Sequence, residues 1–383
     1  MNNLKKLALF AVTISLFNTA YAGNIATTTQ QGGVDNTIAI TQTGDLNDAI
    51  VYLDGNTNTS DTTQLGNNNT SNITSTGDLN ISSTYQYMDG NEATTIQSGN
   101  RNEAVHSQGS YDEEYDYSRT FSDTSTITQT GNDNYAEITQ EQWSNVYGGI
   151  GGNLASIAQT GDRNVAFNFQ DYSGGTNTII QTGNDNYADT NTSGFVSATT
   201  TQLGNDNYGR ISLSNHYDLT NSKLSIASIS QVGDGNNADI RDGNYSVLGK
   251  VSNNTTIVQE GLGGLAGELN IAKITIIGSD SISSISQYGN ANETYITDRT
   301  NQFTSKTNTV YQEGDGNYAY KYTNGNGDGD SFEVTQVGNN NTANAGYNGT
   351  SDGNFISVTQ TGNNHTANMT QTGAGHSITI IQN

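Results

Sequence analysis

The chain has 383 residues, a formal net charge of −24 and an isoelectric point of about 4.1, with 44 glycines and neither proline nor cysteine. So acidic a chain, carrying no basic patch, repels nucleic acid and anionic membrane surfaces, which excludes polyanion binding. Without cysteine there is no disulfide framework or thiolate chemistry, and 32% hydrophobic residues are too few for an ordinary globular core.

The N-terminus reads as an export signal. Lys5 and Lys6 form a positive n-region, Leu7 to Phe17 an apolar core, and Ala20-Tyr21-Ala22 a small-x-small cleavage site. That apolar run is too short for a membrane-spanning helix, so residues 1–22 are expected to be a signal peptide. Cleavage after Ala22 would leave 361 residues with a net charge of −26, from 11 basic against 37 acidic residues. Residues 23–30 are expected to be a short N-terminal segment. No later stretch is apolar enough to enter a bilayer, and export makes the product a secreted, extracellular protein.

Residues 31–383 are a repeat array. The segment Gln-x-Gly-x-x-Asn recurs with glutamines at Gln31, Gln42, Gln64, Gln97, Gln129, Gln159, Gln181, Gln202, Gln231, Gln287, Gln312 and Gln336. Its glycines are Gly33, Gly44, Gly66, Gly99, Gly131, Gly161, Gly183, Gly204, Gly233, Gly289, Gly314 and Gly338. Its asparagines are Asn36, Asn47, Asn69, Asn102, Asn134, Asn164, Asn186, Asn207, Asn236, Asn292, Asn317 and Asn341. Two further copies, Gln360-x-Gly362 and Gln371-x-Gly373, carry His365 and His376 where the others carry Asn. From residue 31 to 108 the period is 11 without a break, with Leu53, Ser75, Gln86 and Gln108 filling the weaker positions. A fixed short period of this kind marks a stacked-repeat architecture.

Spacing then identifies the buried face. Two residues before each Gln stands a β-branched or long apolar residue, as at Ile40, Val51, Ile127, Ile157, Val334 and Met369. Four before it the residue is usually small, as at Ala49, Ser60, Ala93, Ser125, Ala155 and Ala227. A step of two is one face of a β-strand, so small, β-branched and Gln side chains face inward while Thr, Asp, Glu and Tyr face out.

Gly-x-x-Asn is the bend between strands. Glycine tolerates positive φ, and Asn either bonds backbone or accepts a left-handed conformation itself. Strand, bend, strand and bend make one rung of about 22 residues. Parallel rungs stack about 4.8 Å apart, so roughly 15 of them form a column on the order of 70 Å long. The expected fold is therefore an all-β, two-strand-per-turn β-solenoid with cross-β character, in which stacked Gln and Asn amides satisfy one another. The extra residues, Gly109 to Asp123, Trp143 to Gly152, Leu213 to Lys223 and Asp242 to Lys250, fall at one of the two bends. Leu262 to Leu269 is the exception, lengthening the other.

These residues resemble the curlin repeat, written Ser-x5-Gln-x-Gly-x2-Asn-x-Ala-x3-Gln. The segments Gln42 to Ala49, Gln97 to Gln108 and Gln129 to Gln140 match its second half, although the leading Ser is present only at places such as Ser225 and Ser281. The resemblance spans nearly the whole array. It implies a subunit of curli-type functional amyloid on the surface of a Gram-negative-type bacterium, polymerising with itself to serve biofilm matrix, adhesion and aggregation. It also implies an outer-membrane secretion pore and a nucleator subunit as partners. The array runs from Gln31 to Ile378-Thr-Ile380-Ile-Gln382 without a polar end cap, and uncapped repeats are expected to template further strands.

Other chemistry is poorly represented. Asp112-Glu-Glu-Tyr115-Asp-Tyr117 reads as a solvated loop, and Gly325-Asn-Gly327-Asp328-Gly-Asp330 as a single fragment of a Ca²⁺-binding repeat that needs successive copies. His106, His216, His365 and His376 are scattered without ligand spacing. No nucleophile elbow, phosphate loop or triad pattern is present. The reading is thus not an enzyme, with no metal and no cofactor. Tyrosines just after the bend Asn, as at Tyr135, Tyr187, Tyr208 and Tyr318, suit either lateral association or packing along the column. The rival readings are a monomeric solenoid adhesin or ice-binding protein, suggested by pieces such as Thr41-Gln-Thr43, and a disordered matrix polyanion.

Overall fold

The computed structural model describes residues 13–18, 23–109, 122–141, 152–171, 174–194, 196–214, 225–243, 253–261, 269–277, 281–299, 305–324, 329–348 and 353–383. These contain thirty strands and no helix. The strands sort into two open, all-parallel sheets of fifteen, with successive strands alternating between them. Sheet I runs from Thr13–Asn18 and Thr37–Thr43 to Thr366–Thr372, and sheet II from Ile25–Gln31 and Asp48–Asp54 to Ser377–Gln382. The molecule is a β-solenoid with two strands per turn.

Alternation along each strand sets which side chains meet across the turn. In Thr124–Thr130 the residues Ser125, Ile127 and Gln129 are buried while their neighbours are half-buried or exposed. Parallel pairing without slippage stacks like on like: Ile127 on Ile157 on Ile179 in sheet II, and Ala136 on Ala166 on Ala188 in sheet I. A one-residue slip would turn every inward side chain to solvent, which is why the pattern fixes the register. Each buried Ile or Val contributes on the order of 1.5–3 kcal/mol. The small residue two positions earlier leaves room for the facing strand.

The apolar core is segmented. Ile38 to Ile73 form one cluster, Ala104 to Ala188 a second, and Val196 to Met369 the largest. Between the first two the interior is polar, lined by Ser82, Thr84, Thr95 and His106, all buried. His106 fills a core position, with Nδ1 at 2.6 Å from Ser125 Oγ and Nε2 at 2.9 Å from Thr95 Oγ1. Burial holds its imidazole down at about 3, so it is neutral in the folded chain.

The bends are unequal. From sheet II to sheet I the chain turns within residues such as 99–102, 131–134, 161–164 and 183–186 throughout, apart from the passage between Glu260 and Ile271. From sheet I to sheet II the strand ends separate, as between Gln108 and Thr124, Glu141 and Leu154, Ser214 and Ser225, and Gly243 and Asn254. One edge therefore carries nearly all insertions. Residues 110–121, 142–151, 215–224, 244–252 and 262–268 lie outside the described residues, and with them the Asp112 to Tyr117 run, His216 and Leu262 to Glu268; of the Gly325 to Asp330 fragment only Gly329 and Asp330 are described.

The N-terminal boundary differs from the sequence expectation. Residues 25–31 are already a solenoid strand, paired with Asp48–Asp54, and Asn24 joins the bend stack by accepting from Asn47 N–H at 2.9 Å. The array is legible only from residue 31 because Ile25 to Gln30 lacks the apolar residue two before the Gln. Of the expected signal peptide, residues 1–12 and 19–22 lie outside the described residues, and Thr13–Asn18 pairs in parallel with Thr37–Thr43. Among the described residues no helix is long and apolar enough to cross a membrane.

Candidate functional site: the amide ladders

Columns of side-chain hydrogen bonds run along the solenoid axis in both sheets and at both bends. In sheet II, Gln97, Gln129, Gln159, Gln181, Gln202, Gln231, Gln259, Gln287, Gln312, Gln336, Gln360 and Gln382 form one ladder, each Nε2 donating to the next Oε1 at 2.8–3.0 Å. The second N–H of each amide crosses the core to a backbone carbonyl of the facing strand, as Gln181 Nε2 does to Val165 O at 3.0 Å. Both amide protons and an amide oxygen are thus used inside a dry interior, which offsets the cost of burying them. Chains of such bonds also polarise one another.

Sheet I carries a shorter ladder of the same kind: Gln42, Gln64, Gln86, Gln108, Gln140 and Gln170, with donor–acceptor distances of 2.8–3.0 Å. It then stops. The succeeding positions of that column are Thr192, Leu213, Asp242, Ile276, Asp298, Thr323 and Tyr347 before Gln371 resumes it. The motif glutamines therefore occupy two columns, and beyond Gln170 only one sheet is amide-laddered until the end.

A further column is the bend. Asn36, Asn58, Asn80, Asn102, Asn134, Asn164, Asn186, Asn207, Asn236, Asn292, Asn317 and Asn341 are buried in it. Asn134 shows the unit: its Nδ2 donates to Gly161 O of the next rung at 2.7 Å, and its Oδ1 accepts Asn164 N–H at 3.0 Å. Asn47 and Asn69 do the same at the opposite edge, where Asn69 N–H donates to Asn47 Oδ1 at 3.0 Å. Gly and Asn are coupled because the Asn of one rung holds the Gly carbonyl of the next.

Every motif glycine, from Gly33 and Gly44 to Gly362 and Gly373, has positive φ. Of the two roles open to the bend Asn it takes backbone bonding, and the left-handed residue is the one before it: Leu46, Arg101, Asp133, Arg163 and Asp185 have φ between 55 and 60°. The Asn keeps its backbone free of that strain because its side chain is committed to the neighbouring rung.

Gln31 also departs from expectation. It is exposed and pairs with Asp54, while Gln30 takes the ladder column against Leu53. The bend that follows, 32–36, is one residue longer than its successors, with both Gly32 and Gly33 at positive φ, so the column falls a residue earlier. Gln170 and Gln259 are ladder members outside the recurring segment, and Gln140 is marked only as the closing Gln of a curlin-like repeat. Gln140 and Gln170 precede insertions and so lack the following Gly, whereas Gln259-Glu-Gly261 retains half the signal. His365 and His376 sit at bend Asn positions, their N–H groups donating to Asn341 and Asn354. Tyrosines after the bend contact one another along the column: the rings of Tyr187 and Tyr208 stack at 5.2 Å and 3°.

Asp242 is the odd member of the sheet I column. Burial raises its carboxyl to about 7, against the lowering effect of the 2.6 Å bond from Asn253 Nδ2. A folded-state value above the ordinary 3.8 means that the stabilisation is complete below about pH 4 and is lost as pH rises towards 7, by about 4 kcal/mol. We expect Asp242→Asn to raise the thermal midpoint at pH 8 far more than at pH 5. An equal change at both would show that this carboxyl does not ionise on that scale. His106 acts in the opposite sense, its depressed value costing stability as pH falls below 6.5.

Fold and ladders together define a parallel β-solenoid in which each rung presents the same amide-bearing template to the next. The curlin associated repeat matches residues 33–66, 89–141 and 352–383, three regions that lie on this scaffold. The match supports a curlin-type repeat protein: about a third of the chain is similar to that repeat. No curated protein matches the sequence.

Proposed function

We propose that the chain is a structural subunit of an extracellular curli-type amyloid fibre, adding end to end to further copies of itself. The observation that carries this is the unbroken sheet II ladder from Gln97 to Gln382: a rung of a second molecule can extend backbone, Gln and Asn columns with the bonds used inside the first. The sheets are open, with strands at both ends that a further parallel strand can join. In this reading residues 1–22 direct export, an outer-membrane pore and a nucleator subunit are the assembly partners, and biofilm cohesion and adhesion are the purpose at the cell surface. The array acts through hydrogen bonding and packing, without catalysis.

At neutral pH the secreted chain, of net charge −26 without residues 1–22, repels its own copies. Thioflavin kinetics on the secreted chain should therefore show a shorter lag as pH is lowered from 7 towards 5, or as salt is added, with fibres of cross-β diffraction in the electron microscope. A rate indifferent to both would remove the electrostatic account. A monodisperse monomer after prolonged incubation would replace the fibre with a monomeric adhesin.

A further inference from the structure

Where the sheet I ladder is interrupted, the core holds a cluster with its own chemistry. Asp298, on the strand Glu293–Arg299, occupies the ladder column. Asn308 lies on Thr307–Glu313 of sheet II, and Lys321 on Tyr318–Asn324 of sheet I. All three are at most 1% exposed. Asp298 bridges the other two: Lys321 Nζ donates to its Oδ1 at 2.7 Å, and Asn308 Nδ2 donates to its Oδ2 at 2.7 Å. Lys321 Nζ also makes a short contact with Asn308 Oδ1, and Asn308 Nδ2 donates to Ser283 Oγ at 2.9 Å. Above and below, the columns carry Ile276 and Thr323 beside Asp298, Ile296 and Ala345 beside Lys321, and Ser283 and Phe332 beside Asn308, and the Tyr347 ring lies 5.4 Å from the ammonium. Lys306 Nζ, also buried, stands 3.8 Å from Asp298 Oδ1.

A buried ion pair of this kind is a poor device for stability, since apolar residues of equal volume serve as well or better. It is a good device for joining an amine to an amide. The carboxylate touches the amine with one oxygen and the amide nitrogen with the other, while the amine lies against the carbonyl it would attack. A proton passing from Lys321 to Asp298 along their hydrogen bond leaves a neutral nucleophile, against the pull of the Lys321 and Lys306 ammonium groups, which hold this carboxyl below its ordinary range despite burial.

We propose that Lys321 and Asn308 form an intramolecular isopeptide bond, with Asp298 carrying the protons. Asp298 Oδ1 takes a proton from Lys321 Nζ, and the free amine adds to Asn308 Cγ. The bond from Nζ to Cγ forms and the bond from Cγ to Nδ2 breaks. The proton held by Asp298 and a second from Nζ pass to Nδ2, which leaves as ammonium. Asp298 ends as the carboxylate it began as, and no oxidant or co-reactant is consumed. The new bond ties the two sheets across one turn, closing the loop around the 314–317 bend. This reading is independent of fibre formation and would hold in a monomer.

The test is the intact mass of the folded, exported chain, followed by trypsin digestion after denaturation. The wild-type chain is expected to be about 17 Da lighter than its sequence, the mass of one ammonia lost as Lys attacks Asn, and to resist cleavage after Lys321. Asp298→Asn and Lys321→Met should each restore the full mass, and Asp298→Asn should also restore cleavage after Lys321. A wild-type chain of full mass, cut normally after Lys321, overturns the proposal whether or not the variants fold. So does a loss of about 18 Da joining Lys321 to Asp298, which would make Asp298 the acyl partner and not the proton carrier.

Discussion

Gly183→Ala should be among the most damaging single substitutions in the molecule, costing more than about 3 kcal/mol. Gly183 has φ of +118°, a conformation that L side chains rarely adopt, and a Cβ there would stand 1.9 Å from Gly204 O. That oxygen belongs to the bend of the next rung and accepts Asn186 Nδ2 at 2.7 Å, so it cannot retreat without breaking the Asn column. The methyl group would pry two rungs apart at the point where Asn holds them together. Gly346 is the control. It is a strand glycine with no atom within 4 Å of a built Cβ and no positive φ, so Gly346→Ala should be neutral or stabilising by about 0.4–1 kcal/mol. Urea midpoints of the two variants, with hydrogen exchange of residues 183–186 and 204–207, measure the contrast. Equal midpoints would mean that the bends do not hold the rungs together.

Much of this was legible in the sequence because the stack multiplies each local rule. One Gln-x-Gly-x-x-Asn is a weak signal, whereas a dozen copies at solenoid spacing fix the strand face, the bend and the side on which insertions fall. What escaped notice lay where a column is kept by geometry without the motif. Gln170 bonds like its neighbours but precedes an insertion, and Gln30 displaces Gln31 because a single added bend residue shifts the register. The missing half of the sheet I ladder was hidden for a different reason. Thr192, Leu213, Ile276 and Tyr347 fill the column by volume, and no periodic search anticipates a position defined only by what stacks above it. The Asp298–Asn308–Lys321 cluster is likewise invisible along the chain, since its members come from three consecutive strands in alternating sheets.

The division of labour between ladders and apolar columns leads to the second large effect. Ile and Val would drive collapse in any register of similar hydrophobicity, because burial is non-directional. The amides discriminate: a slip by two residues would leave an isoleucine facing an unpaired carboxamide, at a cost of about 1–3 kcal/mol per orphaned group. Gln181→Glu tests this with almost no change of volume. Gln181 donates to Gln202 Oε1 at 2.9 Å and to Val165 O at 3.0 Å, and it accepts from Gln159 at 2.9 Å. A carboxylate keeps the acceptor role but faces two oxygens where two donors had been, in a site without solvent. We expect a loss of about 3–5 kcal/mol at pH 8. Burial would raise the introduced carboxyl above its unfolded-chain value of about 4.3, so the protonated form, with one O–H to offer, is the one the fold accepts. Stability should thus be partly recovered near pH 4 and lost as pH rises through the folded-state value. Gln181→Leu removes the same donors without a charge and should show the loss without that pH dependence. Urea titrations of both variants at pH 4 and pH 8, each against the parent chain, separate the two. A Gln181→Glu variant as stable as its parent at pH 8 would mean that the amide column is a passenger on the apolar core.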